Sequence, residues 1–543
     1  MASEYEAERS GVRRRDQTGG GEGRLEPERT RTTPARAVRA WTVAALLCSA
    51  AAFYFGTGLA PVAALTWVAP LPVLLLAPRA GTGTALGTAF LAYFLGTANS
   101  WAFFTHSGDE PVWPVGTLIC VGGALLFLLC VWAYRRLLVR GRPLLAAATA
   151  PALWTAGLFA TATANPIGIM GTLATTQTDL PVVLQTASVT GWYGVEFLVL
   201  FLPAALAAAS APGVRRAARL RTGGAAVLVL ALVLGGGAWA LSRAGAPAHT
   251  QRVAMIAHNH AGWGEAVGTA RGRALLAAYA EEIERLPRGT DAAVLPEGAF
   301  APRSAREVDA VLRPMARAAH RRHLDVVVAF NRLAGDAKFN TAVALPGDGG
   351  RAAPYLKHHD TVSRLGHRPA FVPGSGGRIG LEICADANFP QPTRSYAESG
   401  ARLLLVPASD NGENGEQHSR TGLLRAVENG VSVAVSDRDG TSMAVDGTGH
   451  VLAKARTQGR AAFTTLTADV PDGPGATPYS RYGDWFPWLC AVLGLAGAAA
   501  SWLPGRGRTA AGRQHGPGGA PTAPTPAAAV GVDQSVQRRA ASG

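Results

Sequence analysis

A glutamate, a lysine and a cysteine, each closing a short apolar run, are the residues of this chain that could share one covalent reaction. Ala-Ala-Val-Leu-Pro ends in Glu297, Pro-Tyr-Leu in Lys357, and Ile-Gly-Leu-Glu-Ile in Cys384. A thiol is only partly ionised near neutrality, so a carboxylate made more basic by desolvation can take its proton. An ammonium beside them can hold the oxyanion of a tetrahedral intermediate. Alone, each residue reads equally well as a surface group or an ion-pair partner, and a buried thiol as inert packing. The three together, in this order, are more specific. Lysine occurs only at Lys338, Lys357 and Lys454, which makes one at a strand end a weak further signal. Histidine is the more usual base for cysteine, and His358, His359, His367 and His418 are available, so a Cys-His arrangement stays open as the minor alternative. No carboxylate or cysteine shares a ligand-type spacing with these histidines, and no metal or other cofactor is expected.

An α/β pattern must position these side chains. From residue 251 onward, β-like runs at 253–257, 292–295, 326–330, 342–345, 379–384, 403–406 and 431–435 alternate with helical spacing at 264–286, 304–322 and 417–429. Such alternation implies a buried sheet covered by helices, with functional groups gathered at strand ends where the crevice opens. A nucleophile at a sharp strand-to-helix turn is lifted out of the sheet towards substrate.

The rest of the chain is of another kind. Hydrophobic residues make up 48% of it and charged residues only 16%, segregated so that 40–243 and 485–503 carry the apolar excess. A bilayer needs about 20 apolar residues per helix, and eight candidates exist: 40–58, 60–78, 82–105, 114–134, 143–163, 190–211, 224–242 and 485–503. Cys48, Cys120, Cys130 and Cys490 lie in these runs, so no disulfide framework is expected in the soluble part. The net charge of +14 is concentrated in the tails and in short loops at Arg79, Arg135–Arg142, Arg215–Arg221 and Arg506–Arg513. This placement fits membrane orientation rather than a nucleic-acid groove. It puts both termini in the cytoplasm and 244–484 outside, opposite loops such as the acidic Ser107-Gly-Asp-Glu110. Residues 1–39 and 504–543 have disordered composition, and no cleavable signal peptide precedes Trp41. The outward 164–189 segment is either an interfacial loop or a wall of a lipid cavity. Glu196, within an apolar run, is either functional or shallow and solvated.

The Glu297–Lys357–Cys384 order resembles the catalytic set of the nitrilase superfamily. Tyr355-Leu-Lys357-His-His, Phe371-Val-Pro-Gly374, Pro407-Ala-Ser-Asp410-Asn411, Gln417-His418 through Arg425 and Glu428, and Asp437-Arg-Asp-Gly440 are similar to its other motifs. With seven spans before the domain and one after, the chain resembles the apolipoprotein N-acyltransferase family in particular. Asn165-Pro166 through Gln177, Gln185 and Gly191-Trp192-Tyr193-Gly194 resemble that family's membrane motif. Three positions depart from it. Ala385 follows the nucleophile where an aromatic is usual, 358–371 lacks a second glutamate and offers only Asp360, and Asn411-Gly-Glu-Asn-Gly415 replaces an aromatic pair.

The resemblance implies an eight-span α-helical membrane domain (40–243 and 485–503) with a nitrilase-like α-β-β-α sandwich at 244–484. It implies Glu297 as general base, Lys357 as oxyanion stabiliser and Cys384 as nucleophile. Glu428, Asp386 and Asp360 would support them, and Trp192, Tyr193, Gln177 and Gln185 would meet substrate. A phospholipid would donate an acyl chain through a Cys384 thioester, and a diacylated apolipoprotein would accept it at its N-terminal amine, in the bacterial inner membrane and without nucleic acid. Two alternatives are a membrane-tethered carbon-nitrogen hydrolase and a non-catalytic lipid-binding or transport protein. The second is disfavoured because Glu196 is the only ionisable candidate within the spans.

Overall fold

The computed structural model describes residues 35–106, 112–243, 249–412 and 414–503. The expected tails at 1–34 and 504–543, the acidic 107–110 loop and Glu413 lie outside the described residues, while a helix beginning at Ala35 takes up 35–39.

In a bilayer every backbone polar group must be satisfied within its own segment, so apolar runs become helices. Among the described residues five are long and apolar enough to cross a membrane: Arg36–Gly56, Thr117–Val139, Pro143–Ala164, Trp192–Ala209 and Arg216–Ser242. The other three expected spans are shorter. Residues 60–78 form two helices, Ala63–Val68 and Leu71–Leu76, because Pro70 lacks the N–H that would carry the first into the second. The 82–105 run breaks after Thr82–Gly96, and the last apolar run forms Trp485–Ala500. This last helix packs tightly on Pro143–Ala164, since a Cβ at Gly497 would come within 2.0 Å of the Thr149 hydroxyl.

The second half holds eleven strands: β1 (Thr250–His258), β2 (Ala292–Val294), β3 (Asp325–Ala334), β4 (Ala337–Leu345), β5 (Ala353–Leu356), β6 (Ile379–Leu381), β7 (Leu403–Ala408), β8 (Ser432–Asp437), β9 (Thr441–Val445), β10 (Val451–Arg456) and β11 (Phe463–Pro471). They form two sheets, ordered β11-β1-β2-β3-β4-β5 and β10-β9-β8-β7-β6. Each sheet has three parallel strands, β1-β2-β3 or β6-β7-β8, extended by antiparallel ones. The period of two along a strand decides the layering. Val253 and Met255 of β1 pack with Leu403–Leu405 of the other sheet, whereas Ala254 and Ile256 face helix residues Leu275, Tyr279, Val311 and Met315. The order is therefore helices Ala270–Arg285 and Ala305–Arg322, sheet, sheet, and helix Asn414–Asn429, which is the expected α-β-β-α sandwich. β9 to β11 were not expected. β10 and β11 hold mostly exposed or half-buried residues, with Ala468 and Val470 buried, and few large apolar side chains, so no apolar run marks them.

Candidate active site

Three loops leaving strand ends converge. Glu297 lies just beyond β2, Lys357 directly after β5 and Cys384 beyond β6. The Glu297 N–H donates to the Ala408 carbonyl at the end of β7 over 3.1 Å, joining the two sheets at this level. Lys357 Nζ donates to Glu297 Oε1 over 2.8 Å, and Asn340 Nδ2 of β4 donates to the same oxygen. Asn340 also reaches Asp360 Oδ2 at 3.4 Å, so Asp360 stands where it can influence the glutamate through one amide. Both members of the ion pair are almost wholly buried, at 2% exposure for Glu297 and 6% for Lys357. Burial opposes the lysine's charge, but Glu297, Cys384 and Asp386 outweigh it and hold the ammonium above the ordinary lysine value.

Cys384 has φ +47°, left-handed backbone that a side chain rarely adopts, at the first residue of a 3-10 turn, Cys384–Asn388. Its thiol is pushed up to about 11, by burial first and then by the charge of Glu297, while Lys357 and His418 pull it down. Asp386 fastens the turn to the lysine loop. One oxygen accepts from the N–H groups of His358 (3.1 Å) and His359 (2.8 Å), the other from the Tyr355 hydroxyl (2.6 Å) and the Ile383 N–H (3.1 Å).

The sulfur's polar neighbours are the Ser409 carbonyl at 3.7 Å and His418 Nδ1 at 3.9 Å. His418 in turn lies 3.1 Å from Asp410, and its Nε2 lies 3.1 Å from the Cys384 carbonyl. The available signal was polar residues two turns apart, His418 and Arg425, on the helix Asn414–Asn429, but nothing in the sequence showed that this helix lies against the nucleophile. Ligand spacing also failed as a guide. One donor atom each from Cys384, Asp410 and His418 lies within 4.8 Å of the others, a nearness that no spacing in the sequence showed.

Two cavities adjoin the turn. A small one of about 20 Å³ is lined by Cys384, Glu382, Asp410 and His418 among others. A large one of about 780 Å³ has Lys357, Asp360 and Ala385 on one wall and Tyr93, Trp154 and Glu196 of the membrane helices on the other. Ala385, where an aromatic was expected, thus faces the space shared by both halves. Glu196 is fully buried rather than shallow, accepting from Trp154 Nε1 at 2.9 Å and the Ala174 N–H at 2.6 Å.

Residues 252–478 match the family model of the carbon-nitrogen hydrolases, and residues 44–205 match that of the apolipoprotein N-acyltransferase N-terminal domain. The chain thus combines a region similar to the carbon-nitrogen hydrolases with one similar to the apolipoprotein N-acyltransferase N-terminal domain. It is similar to the apolipoprotein N-acyltransferases of Geobacter metallireducens, 34% identical over 128 residues (23% of this chain, 24% of that one), and of Gloeobacter violaceus, 33% identical over 141 residues (25% of each). The matches thus span about a quarter of the length of these relatives. An (R)-stereoselective amidase of Pseudomonas sp is 30% identical over 162 residues, 26% of this chain and 58% of that one. Among solved structures, an amidase from Nesterenkonia sp. is 23% identical with a TM-score of 0.37, over 43% of this chain and 92% of that one.

Not every residue expected from the apolipoprotein N-acyltransferase resemblance sits at the cavities. Trp192 and Tyr193 stack on each other and are buried, and the Trp192 N–H donates to Glu428 over 2.6 Å. Glu428 also pairs with Arg425, whose Nε donates to the Ala387 carbonyl in the nucleophile's turn. Gln177 bonds Trp67 and Thr66 inside the membrane half, and Gln185 donates to the Thr448 carbonyl over 2.8 Å. None of these four lines either cavity. They bury polar groups where the halves of the molecule, or the membrane helices, pack together, and such groups need partners there.

Proposed function

We propose that this chain transfers a fatty acyl chain from a membrane phospholipid to the N-terminal amine of a diacylated apolipoprotein. Glu297 takes the thiol proton, and the Cys384 thiolate attacks the ester carbonyl carbon. Lys357 and an N–H of the turn hold the oxyanion. The alkoxide leaving group departs as lysophospholipid, taking the proton back from Glu297, and a thioester remains. The lipoprotein amine then attacks the thioester carbon, loses a proton to Glu297 and carries the acyl group away as an amide, and the thiol reforms. A thioester suits this because amines attack it readily, while a site closed to bulk water limits hydrolysis.

The single observation carrying this reading is the large cavity. Its walls come from both halves, so a lipid chain lying among the membrane helices reaches the wall formed by Lys357 and Ala385 without entering water. The reading includes eight crossings, residues 40–243 and 485–503, with the sandwich of 244–484 outside the bacterial inner membrane. At 1.5 Å per residue Trp485–Ala500 is about 24 Å long, so it crosses only with its flanking turns.

Incubation with phospholipid carrying a labelled acyl chain tests it: a hydroxylamine-sensitive adduct is expected on the wild type and none on Cys384→Ala. Equal labelling of both, or none on either, rejects it. The small side chain of Ala385 beside the nucleophile keeps one other reading in play, a membrane-tethered hydrolase. Release of free fatty acid with no acylation of a diacylated lipopeptide would select that reading.

A further inference from the structure

We infer that His418 is a fixed imidazolium that stabilises the Cys384 thiolate, and not the base that removes the thiol proton. Each ring nitrogen lies nearest to oxygen that accepts, the thiol being the more distant neighbour of Nδ1 at 3.9 Å. Nε2 lies 3.1 Å from the Cys384 carbonyl oxygen, and Nδ1 lies 3.1 Å from both oxygens of Asp410. A neutral ring in either tautomer would set one nitrogen lone pair against oxygen lone pairs, in a place where His418 is 7% exposed and water does not intervene readily. The doubly protonated ring satisfies both acceptors and has no lone pair left for a proton. Its Nδ1 edge is 3.9 Å from the sulfur, so its charge acts on the atom that must ionise.

The groups around the pair agree with this. Glu297 and Lys357 act on the thiol from the strand ends, and the small cavity that Cys384 and His418 line also takes Glu382 from the nucleophile's own run, Arg425 from the helix of His418, and Asp410 and Asp437 from beyond β7 and the end of β8. Burial opposes the charge of His418, but Asp410 and Cys384 outweigh it and hold the ring well above the ordinary histidine value. Burial and the neighbouring Asp410 push Asp437 well above the usual carboxylate range, whereas Asp410, despite its burial, is held below it by His418, so Asp410 is the more readily ionised of the two. The thiol proton thus goes to Glu297, as in the reaction proposed above, and the sulfur's new charge rests between Lys357 and His418. The inference uses that reading for its purpose only, because thiol ionisation is measurable without any acyl substrate.

The test is the pH dependence of iodoacetamide alkylation of Cys384 in the full-length protein in detergent, read by mass spectrometry of the peptide that contains it. An opposite charge at this range moves a pKa by about one unit or more. His418→Gln is therefore expected to alkylate at least about tenfold more slowly at pH 8, with its profile displaced to higher pH. His418→Lys, which restores a charge but not a ring, should recover part of the rate. Asp410→Asn should slow alkylation in the same direction. If His418→Gln fails to fold, the wild type, His418→Lys and Asp410→Asn still decide the matter. Alkylation of His418→Gln or Asp410→Asn at the wild-type rate or faster overturns the inference. So does a wild-type rate that rises on adding EDTA, since the ring would then be a metal ligand. Slowed alkylation in the variants together with no acyl adduct on the wild type would sink the acyltransferase reading and leave this inference standing.

Discussion

On one side of Cys384 a lysine meets a glutamate at 2.8 Å, and on the other a histidine meets an aspartate at 3.1 Å. The first pair is delivered by strand ends. Glu297 follows β2 and Lys357 follows β5 in one sheet, bridged by Asn340 of β4, so its geometry is inherited from the ladder. The second pair is delivered by a loop and a helix, Asp410 after β7 and His418 within Asn414–Asn429. In the first pair both donors sit on Oε1 of the glutamate, so Oε2 is the oxygen that can accept a proton. In the second, the histidine's two nitrogens are both taken by acceptors. At similar distances, with Asp410 the least buried of the four, the pairs take different chemistry under the proposals above: one would exchange a proton and the other hold a charge.

The largest effect that would test this contrast is expected at the base. Glu297→Gln keeps the shape and removes the proton acceptor, and should slow acyl-enzyme formation by about 10²–10⁴, measured as the rate of adduct appearance. A loss below about tenfold would move the base elsewhere. Lys357→Met strands Glu297 without its cation and removes an oxyanion partner. About 10²–10³ in rate and about 3–5 kcal/mol of stability should be lost, the latter seen as a lower thermal midpoint. Unchanged stability would mean that the ion pair is not formed as described.

A smaller effect is expected from the second pair. Asp410→Asn should cost about tenfold in acylation near pH 8. A loss as large as that of Glu297→Gln would erase the distinction between the pairs. The smallest effect sharpens the contrast by way of a carboxyl that belongs to neither pair. Burial raises Glu382 from the ordinary 4.5 to about 8, so the folded protein keeps a proton that the unfolded chain has released. Stability must then fall as pH rises between those two values. Between pH 5 and pH 8 the wild-type thermal midpoint should drop further than that of Glu382→Gln, by about 4 °C or more. Parallel curves would show Glu382 to be ionised or solvated.

Much of the catalytic half was legible because its signals are local. Short apolar runs became β1 to β4 and β6 to β8, the run before Lys357 became β5, helical spacing became Ala270–Arg285 and Ala305–Arg322, and the three chemically competent residues stood at run ends. β10 and β11 escaped because, apart from Ala468 and Val470, their side chains are exposed or half-buried and few are large and apolar, so no apolar run stands out. In the membrane half, composition announced apolar helices, yet Pro70 and the break after Gly96 made two runs shorter than their length suggested, and the last run forms only Trp485–Ala500. The motif resemblance points to Trp192, Tyr193, Gln177 and Gln185 as substrate residues, and all four lie off both cavities, because a buried joint can use an amide or a stacked aromatic ring as well as a ligand can.

The sequence by itself determined the division into apolar and soluble halves, the α/β alternation and the order Glu297, Lys357, Cys384, since each follows from neighbouring residues and from strand-end chemistry. Only the tertiary structure decided that His418 and Asp410 flank the thiol, that Glu428 caps the helix beginning at Trp192, and that one cavity takes its walls from Lys357 and Ala385 and from Trp154 and Glu196. These contacts join segments up to a few hundred residues apart. Their closeness depends on how two sheets and a helix bundle pack, and no local pattern of residues encodes that.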